Sequence, residues 1–242
     1  MKHLSLIIPA FNEARLLPRL LDTVDTARAR FTHGPDAVEV IVADNSSTDA
    51  TAAIAAARGC RVASVSKRMI GSARNGGAAL ATAPILSFTD ADMQIHPETF
   101  NAIERALDDP RIIGGATGVT MERWSAGIAV TYSLFVPLVW LTRFDTGVVF
   151  CRRDDFAAIG GYDETRHFAE DVDFVWKLLR RGWSRGQRLT RLRPVKAIAS
   201  TRKFDRHGDW HYFTMMPMLL AGTLRARAGD APAARRYWYD DR

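Results

Sequence analysis

In the stretch "LSLIIPAFNEARLLPRLLDTVDTARAR", residues 4–30, the pattern of apolar residues changes once. Its first seven residues are apolar apart from one serine, as is typical of a strand that is buried on both faces. From Glu13 to about Arg30 the apolar residues recur every three or four positions, which is the spacing of one helical face. The stretch therefore predicts a strand followed by a helix.

The same alternation continues to residue 109. Strands and helices are predicted in turn, with strands at residues 38–44, 61–66 and 84–90 and helices at residues 45–59, 71–83 and 97–109. In the second helix Ser46 or Ser47 is the expected cap and Gly59 the expected end, while Pro97 is expected to start the fourth helix. This order predicts a parallel sheet joined by right-handed crossovers.

The second half of the chain is less regular. Strands are predicted at residues 112–120 and 146–153, and a helix is predicted to begin at Glu170 and to end at Gly182. We predict one domain at residues 1–208, followed by a helical C-terminal extension at residues 209–242. Within the domain, two halves are predicted, at about residues 1–95 and about residues 96–208.

One long apolar stretch, "AGIAVTYSLFVPLVWL" at residues 126–141, lies between those two strands. It is shorter than the roughly 20 residues that a membrane-spanning helix needs. A buried helix is the expected structure. An apolar acceptor groove, a contact with an anionic membrane surface and a homodimer interface remain open alternatives.

Composition narrows the class of protein. The 242 residues include 47% hydrophobic ones, enough for one substantial core, and the net charge of +6 suits anionic partners. No helix-turn-helix, zinc-finger or RNA-recognition signature accompanies the basic residues, so we expect no nucleic-acid partner. The two cysteines give neither a disulfide framework nor a metal motif. A cytoplasmic protein is expected, with peripheral contact on the inner face of the plasma membrane left open.

Three polar motifs follow predicted strands and point to the ligand edge of the sheet. They are "PAFNE" at residues 9–13, "ADNSSTD" at residues 43–49 and "TDAD" at residues 89–92. Ligands of open α/β sheets bind at the carboxyl ends of the strands, where these motifs are expected to meet. The glycine patterns of dinucleotide-binding and P-loop proteins are absent, which argues against both classes.

The pair Asp90 and Asp92 suggests a metal. On an extended chain, residues one apart point the same way, so both carboxylates are expected to face the edge. Carboxylates repel an anionic ligand unless a cation intervenes, and Mg²⁺ or Mn²⁺ commonly bridges one or two carboxylates to phosphates. Alone, this motif is more often a solvated turn; its place after the fourth strand favours a site for a nucleotide diphosphate.

Four segments together resemble the family 2 glycosyltransferases. They are "LSLIIPAFNEARLLPRLLDTV", "EVIVADNSSTDATAAIA", "GSARNGGAALATAPILSFTDADMQIHPET" and "GGYDETRHFAEDVDFVWKLLRRGW", and the resemblance spans about residues 4–182. It implies the GT-A fold, an α/β architecture with a Rossmann-like, mainly parallel sheet flanked by helices. It also implies an inverting, metal-dependent enzyme that moves a sugar from a UDP- or GDP-sugar, with UDP favoured, to an acceptor hydroxyl. The half at about residues 1–95 would bind the nucleotide and the half at about residues 96–208 the acceptor.

The resemblance also implies roles for individual residues. Asp171 of "AEDVDF" would be the catalytic base that takes the proton of the acceptor hydroxyl. Mn²⁺ or Mg²⁺ would be bound by Asp92 and Asp90, with His207 as a candidate third ligand and His211 as its alternative. Arg202 and Lys203 would stabilise the leaving diphosphate. The residues that would contact the nucleotide sugar, besides those two cations, are Pro9, Ala10, Glu13, Asp44, Gly71, Arg74, Asp90, Ala91 and Asp92.

Several functions remain open beside this one. Without the other motifs, Glu170, Asp171 and Asp173 would be read as acids that stabilise the first turn of a helix.

A nucleotidyltransferase lacks support because no glycine-rich loop follows the first strand, and a non-catalytic nucleotide or glycan binder of the same fold is the other alternative. No QxxRW motif of processive synthases is present, which favours a single transfer. The acceptor is expected to be a glycan, a lipid-linked sugar or a small molecule, as in cell-envelope glycan synthesis, and a homodimer is left open.

Overall fold

The computed structural model of the chain describes residues 1–142, 147–166, 170–211 and 213, and for residues 135–142 it describes the backbone alone. These residues fall into two compact units. The first comprises residues 1–120, 147–166 and 170–199, and the second comprises residues 121–142, 200–211 and 213. The predicted boundary after residue 208 stays a prediction, because most of the predicted extension at residues 209–242 lies outside the described residues.

The described strands form an eight-stranded sheet with the order β3-β2-β1-β4-β7-β6-β8-β5. Its strands are β1 (Leu4–Ala10), β2 (Val38–Asp44), β3 (Arg61–Ser64), β4 (Ile85–Phe88), β5 (Met93–Gln94), β6 (Ile112–Met121), β7 (Val149–Arg152) and β8 (Arg188–Ala199). The described helices are α1 (Leu17–Ala29), α2 (Thr51–Ala57), α3 (Ile70–Leu80), α4 (Thr99–Asp108), α5 (Ala126–Thr142), α6 (Arg153–Ala158), α7 (Glu170–Trp183) and α8 (Arg202–His207).

The predicted fold class is confirmed. Strand β1 pairs in parallel with β2 and β4, and β2 pairs in parallel with β3, so the alternating first half of the chain builds a parallel sheet. The second half extends this sheet with antiparallel pairs, β4 with β7, β7 with β6 and β5 with β8. The antiparallel pair of β4 and β7 is not a hairpin, because β5, α4, β6 and α5 lie between these strands in the chain.

Four of the described strands and helices were not predicted from the sequence: β5, β8, α6 and α8. Strand β8 has the sequence "RLTRLRPVKAIA", in which basic residues are frequent and only Leu189, Val195 and Ala197 are buried. Its apolar residues are therefore too sparse to give a strand period. Strand β5 has two residues and α6 has six, which is too short for a periodic signal.

The order of the sheet places its ligand edge between β1 and β4. Strands β2 and β3 follow β1 on one side, whereas β4 lies on the other side of β1, so the direction of winding reverses between them. Ligands of open α/β sheets bind at such a switch point, beyond the carboxyl ends of the strands. The segments that leave β1 at Phe11, β2 at Asn45 and β4 at Thr89 begin at this edge.

Several helix ends differ from the prediction. Helix α1 begins at Leu17 rather than Glu13, and α4 begins at Thr99, two residues after Pro97. Helix α2 begins at Thr51 because the carboxylate of Asp49 accepts hydrogen bonds from the backbone N–H and the hydroxyl of Thr51. The predicted caps of α2, Ser46 and Ser47, therefore lie in the preceding loop.

Two further helix ends can be compared with the sequence. Gly59 follows α2 with a φ of +73°, so its predicted role at the end of that helix is confirmed. Helix α7 runs one residue past the predicted end at Gly182.

The core of the first unit lies on both faces of the sheet. Along β1, Leu6 and Ile8 belong to one apolar cluster with α1 and α4, while Ile7 belongs to the other cluster with α3 and α7. Successive side chains of a strand point to opposite faces of the sheet, and both faces are buried here. Burying one such leucine or isoleucine contributes about 1.5–3 kcal/mol, so strands with alternate residues buried on both sides hold the edge segments firmly in place.

The second unit contains α5 and α8. Arg123 donates hydrogen bonds to both carboxylate oxygens of Asp209, at 2.7 and 3.2 Å, and to Asp205 at 2.7 Å. Helix α5 confirms the predicted helix, but on its described part Val130 and Leu134 are exposed, so the expected full burial is wrong there. Among the described residues, no helix combines the length and the apolar character that crossing a membrane requires.

Candidate active site

A buried arginine, Arg74 on α3, is the centre of the site. Its Nη1 donates hydrogen bonds to Glu170 Oε1 at 3.0 Å and to Asp171 Oδ1, and its Nη2 donates to Asp90 Oδ1 at 3.0 Å. The guanidinium also lies 5.0 Å from the centre of the Tyr162 ring. One side chain thus joins the carboxylate after β4 to the two carboxylates at the start of α7.

Small residues and aromatic rings hold Arg74 in this position. A Cβ on Gly77, one turn further along α3, would lie 2.5 Å from Ile7 Cγ2, so only glycine allows this approach of α3 to β1. Below the guanidinium, Tyr162 stacks on Phe174 with ring centres 4.2 Å apart and meets Phe88 edge-to-face. The charged group therefore rests on a packed aromatic cluster, which fixes its plane.

Charge around Arg74 is unbalanced. Burial opposes its positive charge, but Asp171, Asp90 and Glu170 outweigh burial and raise the pKa of Arg74 above its ordinary value, so the guanidinium stays charged. Three carboxylates then face one cation. Burial, together with the charges of Glu170 and Asp90, raises the pKa of Asp171 to about 7, although Arg74 acts in the opposite direction. A carboxyl with such a pKa can take up and release a proton near neutral pH.

The position of Asp171 suits a base. It lies in the first turn of α7, and 36% of its side chain is accessible to solvent, against 10% for its neighbour Glu170. A hydroxyl can therefore reach Asp171 from outside, while Glu170 is held inside against Arg74. The third acid of this turn, Asp173, pairs with Lys177 at 2.7 Å and with Arg166 at 3.6 Å.

The segment after β4 is a turn. Asp90, Ala91 and Asp92 were expected to continue as an extended chain, but the backbone N–H of Met93 donates to the carbonyl oxygen of Asp90 at 3.2 Å, which closes a four-residue turn. The predicted extended conformation of these three residues is therefore wrong. The turn forms because the short strand β5 begins at Met93 and pairs with β8.

The oxygen groups at this edge fit a hard divalent cation. Asp90 and Asp92 are both half-buried, so their carboxylates remain accessible, and Ala91 between them is buried. Within the described part of the chain, no group of three acidic or histidine side chains converges here. Two carboxylates without a full protein cage are what Mg²⁺ and Mn²⁺ use when substrate phosphates complete their coordination. The hydroxyl of Thr89, also at this edge, is buried without a hydrogen-bond partner among the described residues.

The loops after β1 and β2 are joined to each other. Asn12 Oδ1 accepts a hydrogen bond from the backbone N–H of Thr48 at 2.8 Å, and the backbone N–H of Asn12 donates to Ser47 Oγ at 3.0 Å. Asn12 and Ser46 both have positive φ, 52° and 64°, a conformation that asparagine tolerates better than most residues. These links bring the first two polar motifs together, as the sequence predicts, and they assign to Asn12 a role that sequence reasoning missed.

Four further residues predicted to contact the nucleotide sugar lie at the ends of β1 and β2 or in the loop after β1. Pro9 and Ala10 are buried at the end of β1, and Ala10 lies opposite Asp44 in the sheet. Asp44 is half-buried, and its Oδ1 accepts the backbone N–H of Ser47 at 3.3 Å. Glu13 is 2% exposed, and its carbonyl oxygen accepts the first hydrogen bonds of α1. Its contact with the nucleotide sugar stays a prediction.

The segment 161–166, from the "GYDETR" motif, is tied to α3. Asn75 accepts the backbone N–H of Tyr162 at 2.9 Å and donates to the Tyr162 carbonyl and to Glu164 Oε1, both at 2.9 Å. A Cβ on Gly71 would lie 3.0 Å from the carbonyl oxygen of Asp163, so glycine permits this close approach. Sequence reasoning assigned Gly71 to nucleotide contact and missed Asn75, whose only signal is its place next to Arg74.

Three predicted residues belong to the second unit. Arg202 and Lys203 are half-buried in α8, and His207 is exposed at the end of that helix. The alternative, His211, is 4% exposed, its Nδ1 is 2.8 Å from the carbonyl oxygen of Gly208, and burial lowers its pKa. His207 is therefore the more accessible of the two histidines.

Comparison with known proteins decides the family. A model of glycosyl transferase family 2 matches residues 5–156, a range that includes Arg74, Asp90 and Asp92. The chain belongs to glycosyl transferase family 2. The predicted family is thus confirmed.

Curated relatives carry glycosyltransferase names. The validoxylamine A glucosyltransferase of Streptomyces hygroscopicus subsp. limoneus is 37% identical over an alignment covering 72% of this chain and 47% of the relative. The pre-mycofactocin glycosyltransferase of Mycobacterium tuberculosis is 26% identical, covering 57% of this chain and 31% of the relative. The chain spans about half the length of the first of these relatives and less of the second.

Solved structures of glycosyltransferases share the fold. The mannosyltransferase PcManGT from Pyrobaculum calidifontis, solved with GDP-Man and Mn²⁺, matches 96% of this chain and 66% of its own with a TM-score of 0.69 at 21% identity. Glucosyl-3-phosphoglycerate synthase from Mycobacterium tuberculosis, solved with Mn²⁺, UDP and glucosyl-3-phosphoglycerate, matches 96% of this chain and 82% of its own with a TM-score of 0.61 at 20% identity. At these identities the likeness shows the fold, and the predicted GT-A fold is confirmed.

Proposed function

We propose that this family 2 member is a metal-dependent, inverting glycosyltransferase that moves one sugar from a nucleotide diphosphate donor to an acceptor hydroxyl. The observation that carries the proposal is the contact of Arg74 with both Asp90 and Asp171. An inverting transfer needs a base close to the bound donor. Arg74 contacts both Asp90, at the proposed donor edge, and Asp171, the proposed base, and so holds these two carboxylates near each other.

Asp171 is proposed as the base. The acceptor oxygen attacks the anomeric carbon, the bond from that carbon to the diphosphate oxygen breaks, and the hydroxyl proton passes to the Asp171 carboxylate. The accessible side chain and the raised pKa of Asp171 both support this role. Glu170 and Arg74 act as positioning residues, since they contact Asp171 or its partner from inside the protein.

A divalent metal fits the oxygen groups after β4. Asp92 and Asp90 would hold it, and when bound it would supply positive charge to the leaving diphosphate. Mn²⁺ in the structures of PcManGT and glucosyl-3-phosphoglycerate synthase supports a divalent ion without distinguishing Mn²⁺ from Mg²⁺. The proposed roles of Arg202, Lys203 and His207 as diphosphate and metal contacts remain predictions from the resemblance.

The donor and the acceptor are proposed by class. UDP in the synthase complex and the glucosyltransferase name of the 37% identical relative favour a UDP-hexose, with a GDP-sugar as the second choice. The same relative is named for validoxylamine A, which favours a small hydroxylated acceptor over a lipid-linked or polymeric glycan. Pro9, Ala10, Asp44 and Gly71 are proposed to line the nucleoside part of the donor site.

A matched pair of variants on α7 tests the proposal. We expect Asp171→Asn to keep donor binding, because the amide preserves the shape of the carboxyl, and to lower UDP release from UDP-glucose with Mn²⁺ by about 100-fold or more, since a general base contributes about 10²–10⁴-fold. Asp173→Asn, two residues further in the same turn, should retain most of the activity. Equal rates in the two variants would remove Asp171 as the base, and no release by the wild-type protein from any donor would favour a non-catalytic binder.

A further inference from the structure

We propose that His3, His33 and Glu104 form a second metal site, for a transition-metal ion of the Zn²⁺ class. The three side chains come from separate places in the chain: His3 directly precedes β1, His33 lies in the loop after α1, and Glu104 lies on α4. One nitrogen of each imidazole and one oxygen of the carboxylate lie within 4.8 Å of one another.

The atoms are already close to a coordination geometry. His3 Nδ1 is 3.0 Å from Glu104 Oε1, and His33 Nε2 is 3.0 Å from Glu104 Oε2. Ligands at about 2.0–2.1 Å from a tetrahedral zinc ion are about 3.3 Å from each other, so an ion enters with small side-chain movements. The two imidazole rings stack with their centres 3.9 Å apart, and each places one nitrogen against a different oxygen of the same carboxylate.

The backbone on each side of the cluster is fixed. The backbone N–H of His3 donates to the carbonyl oxygen of Ala37 at 2.7 Å. Next to His33, the backbone N–H of Thr32 donates to Asn101 Oδ1 at 3.0 Å, and Asn101 lies on α4, the helix that carries Glu104. The positions of the three ligands are thus set by contacts that do not involve a metal, which reduces the cost of assembling the site.

The ligand types distinguish this site from the donor site. Two imidazoles and one carboxylate suit Zn²⁺, Cu²⁺ or Ni²⁺, whereas the oxygen groups of Asp90 and Asp92 suit Mg²⁺ or Mn²⁺. Two histidines and one glutamate are also the protein ligands of open zinc sites in which water holds the fourth position. The cluster is accessible, because His33 is exposed and an open cavity of about 370 Å³ is lined in part by His3 and Glu104.

The two sites lie at opposite ends of the sheet. His3 precedes the amino end of β1, while the donor edge begins after the carboxyl end of that strand at Ala10. Seven residues of strand span about 20 Å at about 3.3 Å per residue. The proposed zinc therefore has no part in sugar transfer, and its role is to join the start of β1, the loop after α1 and α4.

The test measures zinc binding by calorimetry on the full chain after treatment with a chelator. An Asp92→Asn background lowers metal binding at the donor edge, so the remaining binding reports the new site. We expect one Zn²⁺ per chain in this background, and His33→Gln or Glu104→Gln should lower its affinity about tenfold or more, because even losing a group that only orients a ligand costs about 10–100-fold. Asp22→Asn, which changes an exposed carboxylate on α1 outside this cavity, is the control and should leave binding unchanged.

Two further measurements keep the test decisive. Circular dichroism in the presence of chelator shows whether each variant folds, and His3→Gln replaces Glu104→Gln if the latter does not. Co²⁺ in place of zinc should give the visible absorption of a four- or five-coordinate ion, and this absorption should be lost in His33→Gln. The proposal is overturned if the background protein binds no zinc, or if His33→Gln and Asp22→Asn bind it equally; the cluster is then a hydrogen-bonded clamp without a metal.

Discussion

Arg74 determines the chemistry of the site at the scale of single residues. The resemblance predicts that Arg74 contacts the nucleotide sugar, which stays a prediction, and the structure shows Arg74 in contact with Asp90, Glu170 and Asp171. These partners lie 16, 96 and 97 residues away in the chain, and no local pattern reports contacts over such separations. The acidic motifs themselves were readable from the sequence because each follows an apolar strand or opens a helix.

Replacing Arg74 by lysine tests this arrangement. A lysine ammonium is a single point charge and lacks the planar fork that reaches three carboxylates at once. We expect Arg74→Lys to lower transferase turnover by at least about tenfold and to lower the unfolding temperature, because lysine cannot donate to all three carboxylates in the positions that arginine holds. Activity assays and thermal unfolding measure the two effects.

The control for that variant is Arg105→Lys. Arg105 is exposed on α4, so this exchange should leave stability and turnover close to those of the wild type. Wild-type stability and turnover in Arg74→Lys would contradict the central place given to this residue.

The pKa of Asp171 predicts the pH dependence of transfer. A base acts only in its deprotonated form, and the pKa of this carboxyl is raised to about 7, so kcat/KM should rise as the pH increases through about 7 and level off above it. Rates measured between pH 5.5 and 9 with a saturating metal concentration check this expectation. A profile that is already flat from pH 5.5, as for a carboxyl with an ordinary pKa, would contradict it.

At the scale of elements, buried Glu39 joins three segments of the sheet. Its carboxylate, on β2, accepts hydrogen bonds from Ser5 Oγ on β1 at 2.6 Å, from Thr82 Oγ1 at 2.8 Å and from Arg61 on β3 at 2.9 Å. Burial alone would raise the pKa of Glu39, but these hydrogen bonds outweigh it and lower the pKa to about 2. The ionised form is thus the one that stabilises the folded protein.

The lowered pKa fixes the sign of a stability prediction. The contribution of Glu39 is fully present above its unfolded pKa of 4.5 and is lost as the pH falls towards about 2. The shift corresponds to about 3 kcal/mol. We expect Glu39→Gln to lower the free energy of unfolding at pH 7 by about 2–4 kcal/mol, as measured by urea denaturation, because an amide cannot accept all these hydrogen bonds.

Asp36→Asn is the comparison for Glu39→Gln, since Asp36 is an exposed carboxylate just before β2. Its unfolding free energy should stay within about 0.5 kcal/mol of the wild type. Equal stability of the two variants would show that the hydrogen bonds to Glu39 do not stabilise the fold.

The elements that sequence reasoning predicted and those that it missed differ in physical character. Strands β1, β2 and β4 are nearly continuous apolar runs because both faces of the parallel part of the sheet are buried. Helix α1 has a regular apolar period because one of its faces packs on that sheet. Strand β8 exposes several basic residues, and β5 has two residues, so neither has such a period. The turn at residues 90–93 leads directly into β5. It was not predicted because β5 is too short to give a sequence signal.

At the scale of the whole molecule, the family model covers only part of each of the two units. The model matches residues 5–156, while α7 with Asp171 and α8 with Arg202 and Lys203 lie beyond that range. Asp171 is connected to the matched region through its hydrogen bond to Arg74. The resemblance predicted the family and fold from motif order, whereas donor and acceptor identity depend on contacts that motif order does not encode.

The most direct test of the account is a thermal unfolding series with UDP, GDP and their hexose derivatives, each with and without Mn²⁺. Asp90 and Asp92 are proposed to hold the diphosphate through a metal, so a nucleotide should raise the unfolding temperature with Mn²⁺ and have little effect without it, in line with stabilisation by RT ln(1 + [L]/Kd). Asp92→Ala should lose this shift. If none of these nucleotides changes the unfolding temperature with Mn²⁺ or Mg²⁺, the edge between β1 and β4 is not a donor site, and the proposed transfer reaction fails with it.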